Sequence, residues 1–179
     1  MLTHVLPAPI RQAVRVSVRS IVIVRHAKAE RPDGVDDIDR TLTQRGHADA
    51  AAIGAWLAHH DVRPDLVICS PAKRTRQTWH GIAVALADAP EVHYEPEAYH
   101  GGARDLLDLI RGVDDGMTTV AVVGHNPSVS MLSALLDPAA GGDSDGLRTS
   151  GVALHRYDGA WSACAEGAAE LVETHTARG

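Results

Sequence analysis

Four side chains of this chain have the types needed for oxyanion chemistry: Arg25, His26, Arg74 and His125. A guanidinium presents a planar fork of donors that fits two oxygens of a phosphate or sulfate. An imidazole beside it can be neutral near pH 7 and can then serve as a nucleophile or a base. Two arginines and two histidines around one point would make a phosphate or sulfate site with a nucleophile inside it. These residues are far apart in sequence, so the reading depends on the elements that deliver them.

Each group stands where an apolar run stops. Ile21-Val22-Ile23-Val24 ends on Arg25-His26. Leu66-Val67-Ile68-Cys69 is followed by Ser70-Pro71-Ala72-Lys73-Arg74. Val120-Ala121-Val122-Val123 leads into Gly124-His125-Asn126-Pro127. Short runs rich in β-branched residues are the pattern of strands buried on both faces of a parallel sheet. Ligand sites in open α/β sheets lie just beyond the carboxyl ends of such strands. Ser70 as a cap and Pro71 at the first helical position predict a helix there, with Trp79, Ile82, Ala83, Leu86 and Ala87 as its buried stripe. Arg74 then falls about one turn inside a helix whose N-terminal amides favour an anion. Asn126-Pro127 predicts a cap and a helix that buries Val129, Leu132 and Leu136 and closes at Pro138.

The remaining elements follow by the same rules. Thr43 caps a helix running to about His60, with Ala52, Ile53, Trp56 and Leu57 inward, and Leu106, Leu107 and Ile110 mark a shorter helix ending at Gly112. Residues 151–156 and 168–173 read as late strands, with Asp158-Gly159 as a turn, and Gly141 to Gly146 reads as a polar loop. No internal repeat or second domain is visible. The expected fold is α/β: a single three-layer αβα domain over residues 20–179, with a mostly parallel central sheet flanked by helices. Residues 1–19 form an extension. Val14, Val16 and Val18 alternate with Arg15, Ser17 and Arg19, which permits a short edge strand or a mobile basic arm.

At these residues the chain resembles the histidine phosphatase superfamily, the phosphoglycerate-mutase-like clan. Arg25-His26-Ala27 is similar to its signature after the first strand. Ser70, Pro71, Arg74, Gln77 and Thr78 match Ser-Pro-x-x-Arg-x-x-Gln-Thr, and Gly124 to Pro127 match Gly-His-Asn-Pro. The segment Arg40-x-Leu42-Thr43-x-x-Gly46-x-x-x-Ala50 looks like the family's approach to its first helix. The marks run in the family's order from residue 21 to about 130. The short spacing between the second and third is similar to the small bacterial SixA-like phosphohistidine phosphatases, not to the larger mutases.

The resemblance implies a phosphatase in which neutral His26 attacks phosphorus and water hydrolyses the resulting phosphohistidine. Arg25 and Arg74 clamp the phosphoryl oxygens and His125 adds a donor. Family members acting on alkyl esters also place a carboxylic acid between the second and third marks. Glu95 and Glu97 are the candidates, with Glu97 preferred because it precedes a tyrosine and a glycine pair. The implied substrate is a phosphohistidine on a protein or a small phosphorylated metabolite. A mutase acting on a small sugar acid and a non-catalytic phosphate-binding module are the alternatives. The first lacks room for substrate-sealing insertions, and the second would have lost His26 or Arg74.

Composition is compatible with this reading. The 179 residues suit one domain with a real core, 45% are hydrophobic, and a formal charge of −6 argues against a general nucleic-acid binder. No stretch approaches the ~20 apolar residues of a membrane span, and arginines interrupt what would be a signal peptide's apolar region, so a cytoplasmic protein is expected. Cys69 and Cys164 sit in apolar contexts as reduced thiols. Cys69 and Arg74 do not have the spacing of a cysteine-phosphatase loop. The eleven histidines show no metal-ligand spacing, and His59-His60 reads as solvated surface. Asp33, Asp36, Asp37 and Asp39 lack the glycine and distal glutamate of a calcium loop and read as a charged loop near the site mouth. No metal, nucleotide or other cofactor is implied. The sequence leaves the oligomeric state open.

Overall fold

The computed structural model describes residues 18–87, 89–141 and 146–179. Most of the N-terminal extension and the centre of the 141–146 loop lie outside the described residues. The strands are β1 (Val18–Arg25), β2 (Leu66–Cys69), β3 (Glu91–Tyr94), β4 (Thr119–Gly124), β5 (Gly151–Asp158) and β6 (Ala169–Thr176). They form one sheet in the order β3-β2-β4-β1-β5-β6. The first four in that order are mutually parallel, and β5 and β6 pair antiparallel. The helices are α1 (Gln44–His59), α2 (Lys73–Leu86), α3 (Glu97–His100), α4 (Ala103–Arg111) and α5 (Ser128–Leu136).

The alternation of side chains along the strands divides the core in two. Ile21, Ile23, Ile68, Val120 and Val122 point to one face, where Leu106, Leu107 and Ile110 of α4 and Val129, Leu132 and Leu136 of α5 pack with Trp161. Val22, Val24, Val67, Ala121 and Val123 point to the other, against Ile53 and Leu57 of α1 and Trp79, Ile82 and Leu86 of α2. This is the expected three-layer αβα arrangement. Each fully buried Leu or Ile contributes about 1.5–3 kcal/mol, so both faces of the parallel strands must stay covered.

Two helix starts differ from expectation. The second helix begins at Lys73, three residues after Ser70, and has no side-chain cap. The Ser70 hydroxyl accepts from the Ala72 amide (3.3 Å), one residue before that helix. The last helix begins at Ser128, also without a side-chain cap, because Asn126 is engaged elsewhere: its Nδ2 donates to the Leu147 carbonyl (2.9 Å) and its Oδ1 accepts from Ser130 (2.6 Å). Thr43 caps α1 as expected, accepting from the Gly46 amide (2.9 Å). Gly46 has no room for a side chain, because a Cβ would run into the Lys28 carbonyl. This close approach seats α1 on the segment just after β1.

Candidate active site

All four parallel strands end at one edge, and their ladder continues beyond them. The amides of His26, Ser70 and Glu95 donate to the carbonyls of Gly124 (3.1 Å), Val123 (3.0 Å) and Cys69 (3.0 Å). These bonds hold the residues following β1, β2 and β3 in register. The 3.8 Å step of the chain then places consecutive side chains at a shared rim.

The His26 and His125 rings face each other with centroids 5.1 Å apart. The Nδ1 of His26 lies 2.7 Å from its neighbour's carbonyl, that of Ala27. A carbonyl only accepts, so Nδ1 carries the proton and Nε2 keeps its lone pair. Burial, with the positive fields of Arg74, Arg25 and Arg40, pulls the pKa of His26 down to about 4. The ring is therefore neutral at pH 7, with one nitrogen fixed as donor and the other available.

Arg74 is buried at the second position of α2. Its Nη2 donates to His125 Nδ1 (3.2 Å). Because arginine only donates, His125 carries its proton on Nε2, which donates to the Ser70 hydroxyl (2.8 Å). Burial, the Arg74 charge and His26 lower the His125 pKa to about 3. Arg25 is anchored through Nη1 to the Leu147 carbonyl (2.8 Å), the same oxygen that receives Asn126. The Nε–H groups of both Arg25 and Arg74 are buried, and neither meets an acceptor among the described residues. Such unpartnered charged donors are what an oxyanion would satisfy.

Supporting residues account for the rest of the motif around Arg74. The Gln77 side chain accepts from the Leu42 amide (2.8 Å). The Thr78 hydroxyl accepts from the Ala27 amide (3.0 Å) and donates to the Arg74 carbonyl (2.7 Å). Thr78 thus couples the backbone of α2 to the residue after His26.

Two site residues were not among the candidates. Asp37 and Arg40 belong to a loop whose base is closed by an Ala29–Leu42 bridge and by the Glu30 amide donating to Thr41 (2.8 Å). Asp37 Oδ2 accepts from Arg74 Nη2 (2.9 Å) and the Tyr99 hydroxyl (3.0 Å), and Oδ1 accepts from Arg40 Nη1 (2.7 Å). Its carbonyl also accepts from Arg74 Nη1 (2.5 Å). Arg40 first, then Tyr99 and Arg74, hold the Asp37 carboxyl well below the usual carboxylate range. The advance signs were the density of aspartates in a loop expected near the site mouth and the place of Arg40 in the family-like segment before α1; nothing local to Asp37 indicated a partner on α2.

Glu97 is the first residue of α3 and is exposed. Its carboxylate makes no hydrogen bond or ion pair among the described residues, whereas Tyr99, two residues on, stands edge-on to His125 (5.5 Å). Cys69 is buried and its thiol is pushed up to about 12, so it remains protonated. Among the described residues, no group of three or more histidine, cysteine or acidic side chains is arranged to hold a metal ion.

Comparison with known proteins bears on this geometry. The model of the histidine phosphatase superfamily (branch 1) matches residues 21–99. An uncharacterized protein of Mycobacterium tuberculosis is 38% identical over 162 residues, covering 87% of this chain and all of the relative. The structure of a SixA protein from Nakamurella multipartitia, described as a candidate phosphohistidine phosphatase, superposes with a TM-score of 0.78 at 32% identity, over 89% of this chain and 96% of that one. A protein histidine phosphatase SixA complexed with tungstate superposes with a TM-score of 0.71 at 25% identity, over 88% and 96% of the two chains.

Proposed function

The chain belongs to the histidine phosphatase superfamily, and from that premise we propose that it is a phosphatase that transfers a phosphoryl group to His26 and then to water. The observation that carries this reading is the single tautomer of His26: Nδ1–H is held by the Ala27 carbonyl, leaving the Nε2 lone pair free in a neutral ring beside two arginines. Nε2 attacks phosphorus in line as the bond to the leaving group breaks. Water then displaces His26 from phosphorus, giving inorganic phosphate. Arg25 and Arg74 offer their unpartnered Nε–H groups to the phosphoryl oxygens, which stabilises charge where it develops. His125 positions Arg74 through Nδ1 and can turn its Nε2–H from Ser70 to the phosphoryl group.

The favoured substrate is a phosphohistidine carried by a protein. The SixA-like relatives support it, as does the exposed setting of Glu97. An alkoxide needs a proton to leave, whereas neutral imidazole, with a conjugate-acid pKa of about 6.5, leaves far more readily. Glu97 would act as the acid only for ester substrates. The arginine charges make a metal unnecessary in this scheme. No helix among the described residues is long and apolar enough to cross a membrane. A cytoplasmic setting belongs to the same reading, supported by two buried free thiols.

The test is turnover of a phosphohistidine carrier protein against a panel of alkyl and aryl phosphates, in the presence of excess chelator. Preferred hydrolysis of the carrier, undiminished by chelator, is expected. Activity on small esters alone would move the substrate to a metabolite, and loss restored by a divalent ion would move the mechanism to another class.

A further inference from the structure

Asp37 poses a problem for any anion that binds Arg74. Its carboxylate and its main-chain carbonyl engage both terminal nitrogens of that guanidinium, at 2.9 and 2.5 Å. The other carboxylate oxygen neutralises Arg40, whose charge also reaches His26. The carboxylate is held by three side chains from separate parts of the fold: Arg40 on its own loop, Arg74 on α2 and Tyr99 on α3. The loop is closed at its base, while Asp37 itself remains exposed at the rim. A guanidinium fork accepts one planar anion at a time on a given edge. A phosphoryl group gripped by the fork of Arg74, and not by its Nε–H alone, must take a terminal nitrogen from Asp37.

We propose that Asp37 is a displaceable internal anion on Arg74 that sets an affinity threshold, so that only ligands able to outcompete a tethered carboxylate occupy the site. The inference rests on the phosphate site proposed above and concerns what that site rejects. A free carboxylate has the same chemistry as Asp37 and lacks the tether. It would have to exceed the effective concentration of a short-linked group, on the order of millimolar or above, before taking over Arg74. A dianionic phosphoryl group brings a second charge and a third oxygen, and it can use the unpartnered Nε–H groups of Arg25 and Arg74 together. All anions lose the same factor, so carboxylates, the weaker binders, fall below occupancy while phosphomonoesters and phosphoramidates, which bind more strongly through the added Nε–H contacts, still bind. Leaving Arg74 removes the Asp37 charge from that guanidinium, while the bond to Arg40 lies within the same loop and can move with it.

The experiment is an NMR titration of the protein with sulfate and with acetate, at constant ionic strength, reading the ring signals of His26 and His125 and the amides of 36–39. Neither probe requires turnover. In the wild type, sulfate should shift both ring signals and release the 36–39 amides from their starting environment, while acetate at the same concentration should do neither. Displacement reduces apparent affinity by the same competent fraction for every anion. D37N should therefore tighten sulfate and acetate by a similar factor, roughly tenfold. Y99F, which removes one donor from Asp37 and no group from the phosphate site, should tighten both by a smaller factor and serves if D37N fails to fold. Unchanged sulfate affinity in the variants would overturn the proposal, as would a gain for sulfate far exceeding that for acetate, which would mean that Asp37 stays in place and only repels. Sulfate that leaves the His26 and His125 signals unmoved would remove the phosphate site itself.

Discussion

His26, half-buried, and His155, fully buried, both have a pKa lowered first by loss of solvation, yet they sit in regions with different chemistry. His155 lies on β5 in the antiparallel part of the sheet. Its Nδ1–H donates to the Ala169 carbonyl (3.1 Å) and its Nε2 accepts from the Ser133 hydroxyl (2.8 Å). Both nitrogens are satisfied and the residue is fully buried, with Asp137 supplying a nearby negative charge. His26 lies past the end of a parallel strand; one nitrogen is satisfied, and the charges around it belong to Arg74, Arg25 and Arg40. Loss of solvation and a lowered pKa are therefore common to both regions. An available lone pair facing cations is found in only one of them, and it is what the proposed nucleophile has and the packed core residue lacks.

Removing each histidine in turn separates the two regions most sharply. H26N should lower kcat/KM by at least ~10³-fold with the fold intact, since it removes the proposed nucleophile and with it the proposed pathway. H155L should leave kcat/KM within about threefold while lowering stability by about 1–3 kcal/mol, through the stranded Ser133 hydroxyl. Steady-state turnover paired with urea denaturation reads both, and loss of activity in a folded H155L protein would undo the distinction. R74K should cost about 10²–10³ in kcat/KM, because an ammonium keeps the charge and loses the fork. A change under tenfold would mean that geometry at Arg74 is unimportant.

The next effect depends on substrate. E97Q should slow alkyl phosphate hydrolysis by about 10²-fold and aryl phosphate or phosphohistidine by much less, if Glu97 reaches the leaving group as a general acid. Equal losses on all substrates, or none on any, would take Glu97 out of the mechanism. The smallest effect is on stability against pH. The folded-state pKa values of His26 and His125, about 4 and about 3, lie below the unfolded value of about 6.5. Stability from keeping these rings neutral is complete above pH 6.5 and declines as pH falls through the window toward 4 and 3, where the unfolded chain binds protons that the native site refuses. The pH dependence of the urea midpoint between 6.5 and 4 should be flatter in H26N. An unchanged slope would place the burden on other groups, His155 included.

The legibility of this molecule in its sequence followed the range of the interactions involved. The strands carrying Arg25, Arg74 and His125 to one edge were legible because a β-branched run bounded by polar residues is a local pattern. The caps of α2 and α5 were not, because Ser70 is also taken by His125, 55 residues away, and Asn126 is taken by Leu147 and Ser130. Local propensity yields where a distant partner offers a better bond. Arg40 was read only as part of the approach to a helix, and Asp37 only as one member of a charged loop. Their significance comes from Arg74 and Tyr99, and no local spacing records those contacts. The parallel half of the molecule was thus readable down to single residues, and the loop that crosses its rim was readable only as a loop.

The central claim, that His26 Nε2 takes the phosphoryl group, is tested most directly by trapping the intermediate. A phosphorylated imidazole is labile in acid and persists in base. Rapid mixing of enzyme with a labelled substrate should give a protein-bound phosphoryl group after alkaline quench and little after acid quench, with the label on the peptide containing His26 and absent from H26N. A label that survives acid, or one carried on a serine or on Cys69, would contradict the account.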